Sequence, residues 1–318
     1  MNNYVTLLFF AFVAFVAFGC NCVPEGPVHV SDVGVRVRED VVIIEPVSAD
    51  RVGWSELLFQ IDKSDVILLG EQHDHAVGHA IQLAVVEDVM DKFPKSVLAL
   101  EMLERDEQGL VDDYMEGFID AKTFATLTHS TNWGSKDGWA AWYQPIIDAV
   151  KERGGTVVAA NAPRRYVRLA RTDGYGRIEE LPSERRAYID YPEELSSGRY
   201  RQRFWEFASH GDEEDAAEGN VEEINPDDPM LPLFRSQQAW DATMAQSIAN
   251  ARPTLNHKVI LLVGQFHVEY DGGIVQELRK RAPKANVLVV SIQREIPEED
   301  WRGNPVIADL MFVENVSD

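Results

Sequence analysis

Apolar residues fall along the chain in two rhythms. Short unbroken runs rich in β-branched residues stand at 65–70 (DVILLG), 96–101 (SVLALE), 155–161 (GTVVAAN), 258–264 (KVILLVG) and 286–291 (NVLVVS). Runs of this length with no polar alternation read as strands covered on both faces. Between them the apolar positions take a helical spacing: Ile81, Val85, Val86 and Val89 within 76–93, then Trp139, Tyr143, Ile146, Ile147 and Val150. The second of these stretches ends in Lys151-Glu152-Arg153 followed by Gly154-Gly155, a charged last turn and a glycine stop. Strands alternating with helices predict an α/β fold, a parallel or mixed central sheet flanked by helices. VVIIEP (41–46) is expected as an edge strand, and NPVIADLMFV (304–313) as a last strand.

The organisation follows from where the rhythm stops. Residues 51–318 read as a single α/β domain, interrupted by a helical insert at about 163–229 that is rich in Tyr and Arg. Within it, 211–228 is acidic, almost without large apolar groups, and expected to be a loop. An insert placed after a strand either caps the site at that end of the sheet or is a solvated decoration; both readings stand. At the other end, the apolar run Tyr4–Phe18 is short for a membrane span, and residues 1–19 read as a signal peptide. The junction Gly19-Cys20 resembles a bacterial lipobox, so Cys20 is expected to carry lipid and begin the mature chain. Residues 20–50 then form a tether and the edge strand. This predicts a bacterial cell-envelope protein, lipid-anchored to a membrane, with inner and outer left open.

Composition narrows the function classes. The net charge is −23. That argues against nonspecific binding to nucleic acid, which needs clustered Lys and Arg. Cys20 and Cys22 are the only cysteines in the sequence. No cysteine in the body means no disulfide framework, no zinc–cysteine cluster and no catalytic thiol.

The candidate chemistry lies where strands end. VILLGEQHDHAVGH (66–79) passes from four apolar residues through glycine to Glu71, His73, His75 and His79. KVILLVGQFH (258–267) repeats the form, an apolar run and then Gly-x-x-His, with Gly264 and His267 matching Gly70 and His73. Ligands of open α/β sheets bind outside the carboxyl ends of strands. Glu71, His73, Glu101, Asn161 and His267 should therefore meet at one edge. Glu101 follows an apolar run and needs a partner if buried; Arg105, four residues on, is expected to supply it. Two histidines with Glu71 and Glu101 suit a divalent metal with an open position. Without a metal, the same groups suit general-base catalysis, with Arg105 stabilising an oxyanion. Trp133, Trp139, Trp142 and Tyr143 either pack the core or wall the pocket of a flat apolar ligand, with Tyr143 as a phenolate ligand to iron. His129, His210 and His257 read as surface groups.

Five stretches in order, LLGEQHDHAVGHAIQLAVVEDV, ALEMLERDEQGLVDDYMEG, WAAWYQPIIDAVKERGGTVVAANAPRR, QQAWDATMAQSIA and LLVGQFHVEYDGG, resemble the ChaN-type haem-binding lipoproteins. These form a branch of the Tiki, TraB and erythromycin esterase superfamily. The resemblance runs from about Trp54 to Val290. It implies haem as cofactor or cargo, a link to iron uptake and a membrane partner, and leaves room for a homodimer. It carries the shared motif onto Gly70 with His73, Gly264 with His267, Glu71, Glu101 and Arg105. The alternative it implies is a hydrolase, metal-dependent in some relatives, using Glu71, His73, Glu101, Arg105 and His267. The haem ligand is not placed by motif position. Tyr143 is the first expectation, with Tyr166, Tyr175, His73 and His267 as others. Phe266 departs from the small or polar residue expected before the second histidine.

Overall fold

The computed structural model describes residues 26–208, 225–251, 254, 256–298 and 300–315. The expected leader, Cys20 and most of the acidic stretch 211–228 lie outside the described residues.

Eight strands form one sheet: β1 (Val42–Glu45), β2 (Asp50–Val52), β3 (Val66–Glu71), β4 (Val97–Glu104), β5 (Thr156–Asn161), β6 (Val259–Gly264), β7 (Val287–Glu295) and β8 (Leu310–Asn315). Their order is β2-β1-β8-β7-β3-β6-β4-β5. All pairings from β8 to β5 are parallel. β1 runs antiparallel to β8 and to β2, which makes the sheet mixed. Each apolar run of the sequence lies in a strand. The short β2 was not foreseen, because Asp50-Arg51-Val52 carries no strand pattern.

The apolar runs are unbroken because alternate residues serve different layers. Leu69, Leu98, Leu100, Ile260 and Leu262 face one side, under the helices Ala76–Lys92 and Gln144–Glu152. Leu68, Ala99, Leu261 and Val263 face the other, under the helices Leu231–Asn250 and Gly273–Arg281. Burying each such leucine is worth about 1.5–3 kcal/mol relative to exposure, so every position of the central strands is held apolar. The run that first turns polar on a given face marks where the sheet ends, and the two faces end on different carboxylates. Glu71 continues the Leu69 side of β3, and Glu101 continues the Ala99 side of β4.

The aromatic segment opens as a π-helical turn, Trp139–Tyr143, before becoming the α-helix Gln144–Glu152. Such wide turns often accompany functional sites. The insert is helical as expected: Arg164–Thr172, Tyr175–Glu179, Ser183–Arg186 and Gly198–Ala208 precede the long helix Leu231–Asn250. Tyr166, Val167 and Ala170 seat its first helix against Ala239 of the long one. Since β5 ends at Asn161, the insert begins at the carboxyl edge of the sheet.

Candidate functional site

β3, β6 and β4 are consecutive in the sheet and parallel, so Glu71, Gly264 and Glu101 come to one edge. The two glycines make that approach possible. A Cβ on Gly264 would stand 3.1 Å from His73 Nε2 and 3.5 Å from Glu101 Oε2. The missing side chain leaves the gap in which the imidazole and the carboxylate meet. Gly264 N also donates to Glu101 Oε2 at 2.6 Å. At Gly70 a Cβ would lie 2.9 Å from Val268 Cγ2 and 3.1 Å from Gln265 Cα, so the exit turn of β6 crosses directly over it. The repeated Gly-x-x-His is thus two halves of one crossing.

Each histidine is backed by a buried carboxylate from its own layer. His73 Nδ1 lies 2.8 Å from Glu71 Oε1. Glu71 also accepts from the Tyr143 hydroxyl at 2.5 Å and from Gln82 Nε2 at 2.6 Å. Burial alone would raise the Glu71 carboxyl; His79 at 3.7 Å, His73 and the Tyr143 hydroxyl outweigh it and hold it at about 2. Burial opposes charge on His73, but Glu71, Glu101 and Asp74 raise it to about 9. On the other layer, His267 Nδ1 lies 2.5 Å from Asp241 Oδ1, and its Nε2 faces Glu101 Oε1 at 3.6 Å. Asp241 accepts from Tyr200 at 2.5 Å and from Gln238 at 3.0 Å. Burial raises the Asp241 carboxyl against the pull of His267; burial works downward on His267, yet Asp241 and Glu101 raise it.

The two histidines differ in access. The His73 side chain is 41 % exposed, whereas that of His267 is 10 % exposed. The His73 ring is fixed through Nδ1 by Glu71, the arrangement by which a carboxylate orients a ligating imidazole, and its Nε2 lies beside Gly264. His267 is a buried neighbour of Glu101.

Several expectations need correction. Arg105 does not partner Glu101. β4 stays extended through Glu104, so four residues span roughly 13 Å of strand instead of one helical turn. Arg105 instead donates to Ser247 Oγ at 2.9 Å, the Thr243 carbonyl at 2.6 Å and Gln246 at 2.8 Å. An oxyanion role at this edge loses its arginine. Tyr143 is fully buried beneath Glu71, and burial together with that carboxylate raises its hydroxyl well above the usual range. It is a support for Glu71, placed wrongly for a phenolate on iron. Tyr175 donates to the Arg235 carbonyl at 3.0 Å and stacks on Tyr191. Tyr166 packs in the cluster under the insert, with Arg165 over its ring at 4.5 Å. For the expected metal set, Glu71, His73, Glu101 and His267, no group of three or more His, Cys, Asp or Glu is placed to hold an ion among the described residues. Glu71 spends its oxygens on neighbours below the sheet edge, away from Glu101. Asn161 ties strands together, donating to the Glu101 carbonyl at 2.9 Å.

Asp241, Tyr200, His79 and Gln82 were missed as supports. The one signal in the sequence was an Asp within the helical stretch QQAWDATMAQSIA, since a carboxylate buried there demands partners, and the structure buries it fully. His79, on the helix Ala76–Lys92, stacks its ring on Trp142, and its Nε2 reaches the His73 carbonyl at 3.1 Å.

Around His73 the rim is aromatic and cationic. Trp133 meets the His73 ring edge-on at 5.9 Å, and the Arg164 guanidinium lies over Trp133 at 5.4 Å. On the β6 side, Phe266 is half-buried, and Phe207, 75 % exposed, stands 6.1 Å from it.

A family model described as haem-binding uptake, Tiki superfamily, ChaN matches residues 57–278. The chain belongs to this family. Among solved structures, the fold is similar to that titled cofacial heme binding to ChaN of Campylobacter jejuni, at 20 % identity and TM-score 0.60, covering 86 % of this chain and 96 % of that one. It is more distantly similar to an erythromycin esterase in its open conformation, at 11 % identity and TM-score 0.42, covering 79 % and 76 %. No curated protein sequence matches the chain. Membership makes this a haem-binding uptake protein of the ChaN type, and the donor set fits that ligand: a half-exposed, carboxylate-backed imidazole beside the half-buried ring of Trp133.

Proposed function

We propose that this chain holds haem at the carboxyl edge of β3, β6 and β4, as cargo for iron uptake, with His73 Nε2 as the ligand to iron. The observation that carries the reading is the exposure of His73 combined with its tether to Glu71. With Nδ1–H donated to the carboxylate, the neutral ring of this half-exposed side chain keeps its lone pair on Nε2. Haem supplies a flat apolar ring and an iron with free axial positions. The chain supplies the imidazole, the aromatic rim of Trp133 and Phe266, and a dry floor of Tyr143 and Trp142 beneath Glu71. His73 must release a proton to bind, and Glu71 keeps the ring oriented while it does.

Haemin titration followed by absorbance tests this. Saturable binding by the wild type and loss of at least about tenfold in affinity for His73→Ala are expected, about 1.4 kcal/mol. Unchanged affinity and spectrum in His73→Ala, with a changed spectrum in Tyr166→Phe, would return the ligand to tyrosine.

We further propose that the protein works at the cell envelope, anchored by lipid on Cys20. The apolar run before Gly19-Cys20 supports this. Among the described residues no helix is long and apolar enough to cross a membrane. Mass spectrometry of the N-terminal peptide from native membranes should find acylated Cys20; an intact Met1 would refute the anchor.

A further inference from the structure

Arg105, expected beside Glu101, lies instead directly behind the wall of a cavity of about 480 Å³ between the helical insert and the helix Leu231–Asn250. A volume of this size accommodates a small organic molecule. None of the residues that line it surrounds His73. Ile178, Leu181, Ile189 and the ring of Tyr191 supply its apolar surface. Arg105 is a half-buried cation whose N–H groups meet only neutral acceptors. Its Nε donates to Ser247 Oγ, its Nη1 to Gln246 Oε1 and to the Ala187 carbonyl at 3.2 Å, and its Nη2 to the Thr243 carbonyl. These bonds satisfy the donors and leave the charge in place. Burial accordingly pushes the guanidinium down to about 10. Ala187 and Gln246 both line the cavity, so the charge acts on it through one layer of atoms. The acid nearest to offsetting it, Asp190, is taken on Oδ2 by Arg281 at 2.7 Å and by Gln246 at 2.8 Å. Arg281 also pairs with Glu277, whose other oxygen accepts from Lys280 at 2.8 Å. At the mouth, Arg186 is exposed and makes no ion pair among the described residues. Cations therefore outnumber acids around this cavity, in a chain whose net charge is −23.

We infer that this cavity is a second binding site, for a small amphipathic carboxylate: an alkyl or aryl body ending in one acid group. The inference is independent of the haem reading. The apolar lining suits the body, which gains by leaving water. Arg186 and Ser183 suit the acid. They stand three residues apart on the short helix Ser183–Arg186, so both can turn to one side, and both line the cavity. A guanidinium and a hydroxyl together offer a carboxylate charge-assisted and neutral donors. An amine in the same place would meet Arg186 with Arg105 behind it, and the one acid of the lining, Asp190, is already engaged.

The experiment is a methyl NMR titration of the protein, with isoleucine and leucine methyls labelled, against octanoate, octanol and octylamine. Octanoate should shift the methyls of Ile178, Leu181 and Ile189 saturably. Octanol, with the same chain and no charge, should bind roughly 3- to 10-fold more weakly, the range for a partly exposed charge-assisted pair. Octylamine should bind more weakly still. Arg186→Gln, an exposed change that leaves the fold alone, should bring octanoate down to the level of octanol. Added salt should weaken octanoate and leave octanol unchanged. Absence of saturable shifts at these three residues, or shifts confined to other methyls, would overturn the site. Octylamine binding as tightly as octanoate, or an undiminished preference for octanoate in Arg186→Gln, would overturn the assignment of its ligand.

Discussion

Glu71 is the residue on which both the stability and the poise of the site depend. Its carboxyl is held at about 2, below its ordinary 4.5. A depressed acid stabilises the fold fully above its unfolded value, and that stabilisation is lost as pH falls through the folded one. His73 is raised from 6.5 to about 9, so its contribution is complete below about pH 6.5 and fades as pH rises through 9. The two limbs share the Glu71–His73 contact and are not additive. The acid limb, at a residue 2 % exposed, is worth roughly 3 kcal/mol by linkage. The alkaline limb is smaller, because His73 is 41 % exposed and screened. Urea denaturation of the wild type across pH 2–10 should show both limbs, and Glu71→Gln should flatten the acid limb and reduce the alkaline one, where Glu101 and Asp74 still act on His73. A Gln variant with the wild-type profile would show that the pair contributes nothing. Tyr143→Phe removes a buried hydroxyl that donates to Glu71 at 2.5 Å. It should cost about 1–2 kcal/mol of stability and leave the haemin spectrum as it is. A changed spectrum would bring Tyr143 back to the iron.

At the scale of elements, the two glycines of the repeated motif do different work. Gly264→Ala would place its methyl 3.1 Å from the imidazole of a half-exposed side chain that has room to move. The fold should survive with less than about 1 kcal/mol lost, while haemin affinity falls several-fold as His73 is displaced. Gly70→Ala meets Val268 and the backbone of Gln265, which cannot move alone, and should cost about 1–3 kcal/mol. Thermal unfolding alongside haemin titration separates the two; equal losses of stability would contradict the crossing described for β3 and β6. The elements themselves were legible because burial on both faces writes a strand as an uninterrupted apolar run. That signal fails at strand ends. β4 continues through Met102-Leu103-Glu104 beyond its apolar core, with a register shift between Leu100 and Glu104. Arg105 was therefore misplaced by assuming a helical turn where the chain stays extended. Glu71, His73, Glu101 and His267 were legible as a set because two strands repeat one form. Their partner Asp241 comes from the helix Leu231–Asn250, which reaches His267 only through the tertiary fold, and local spacing does not say which residue it meets.

At the scale of the whole molecule, the site is assembled across both layers. β3 brings Glu71 with His79 and Tyr143 from one layer; β4 and β6 bring Glu101 and His267 with Asp241 and Tyr200 from the other. No single element contains the site, so a ligand held there is held only by the folded sheet with both helical layers docked. Ligand binding must then stabilise global folding through mass action, by about 2.7 kcal/mol when free ligand is one hundred times the dissociation constant. For the wild type, haemin should raise the unfolding temperature by an amount that grows with the logarithm of its concentration. His73→Ala should shift little at the same concentrations, because its affinity is lower. Asp241→Asn tests whether the second layer takes part. It breaks the contact with His267 and leaves His73 untouched, so it should lower the unfolding temperature of the empty protein while the haemin-induced shift largely persists. If Asp241→Asn abolished the shift and His73→Ala preserved it, the ligand would belong to His267, and the two layers would exchange roles.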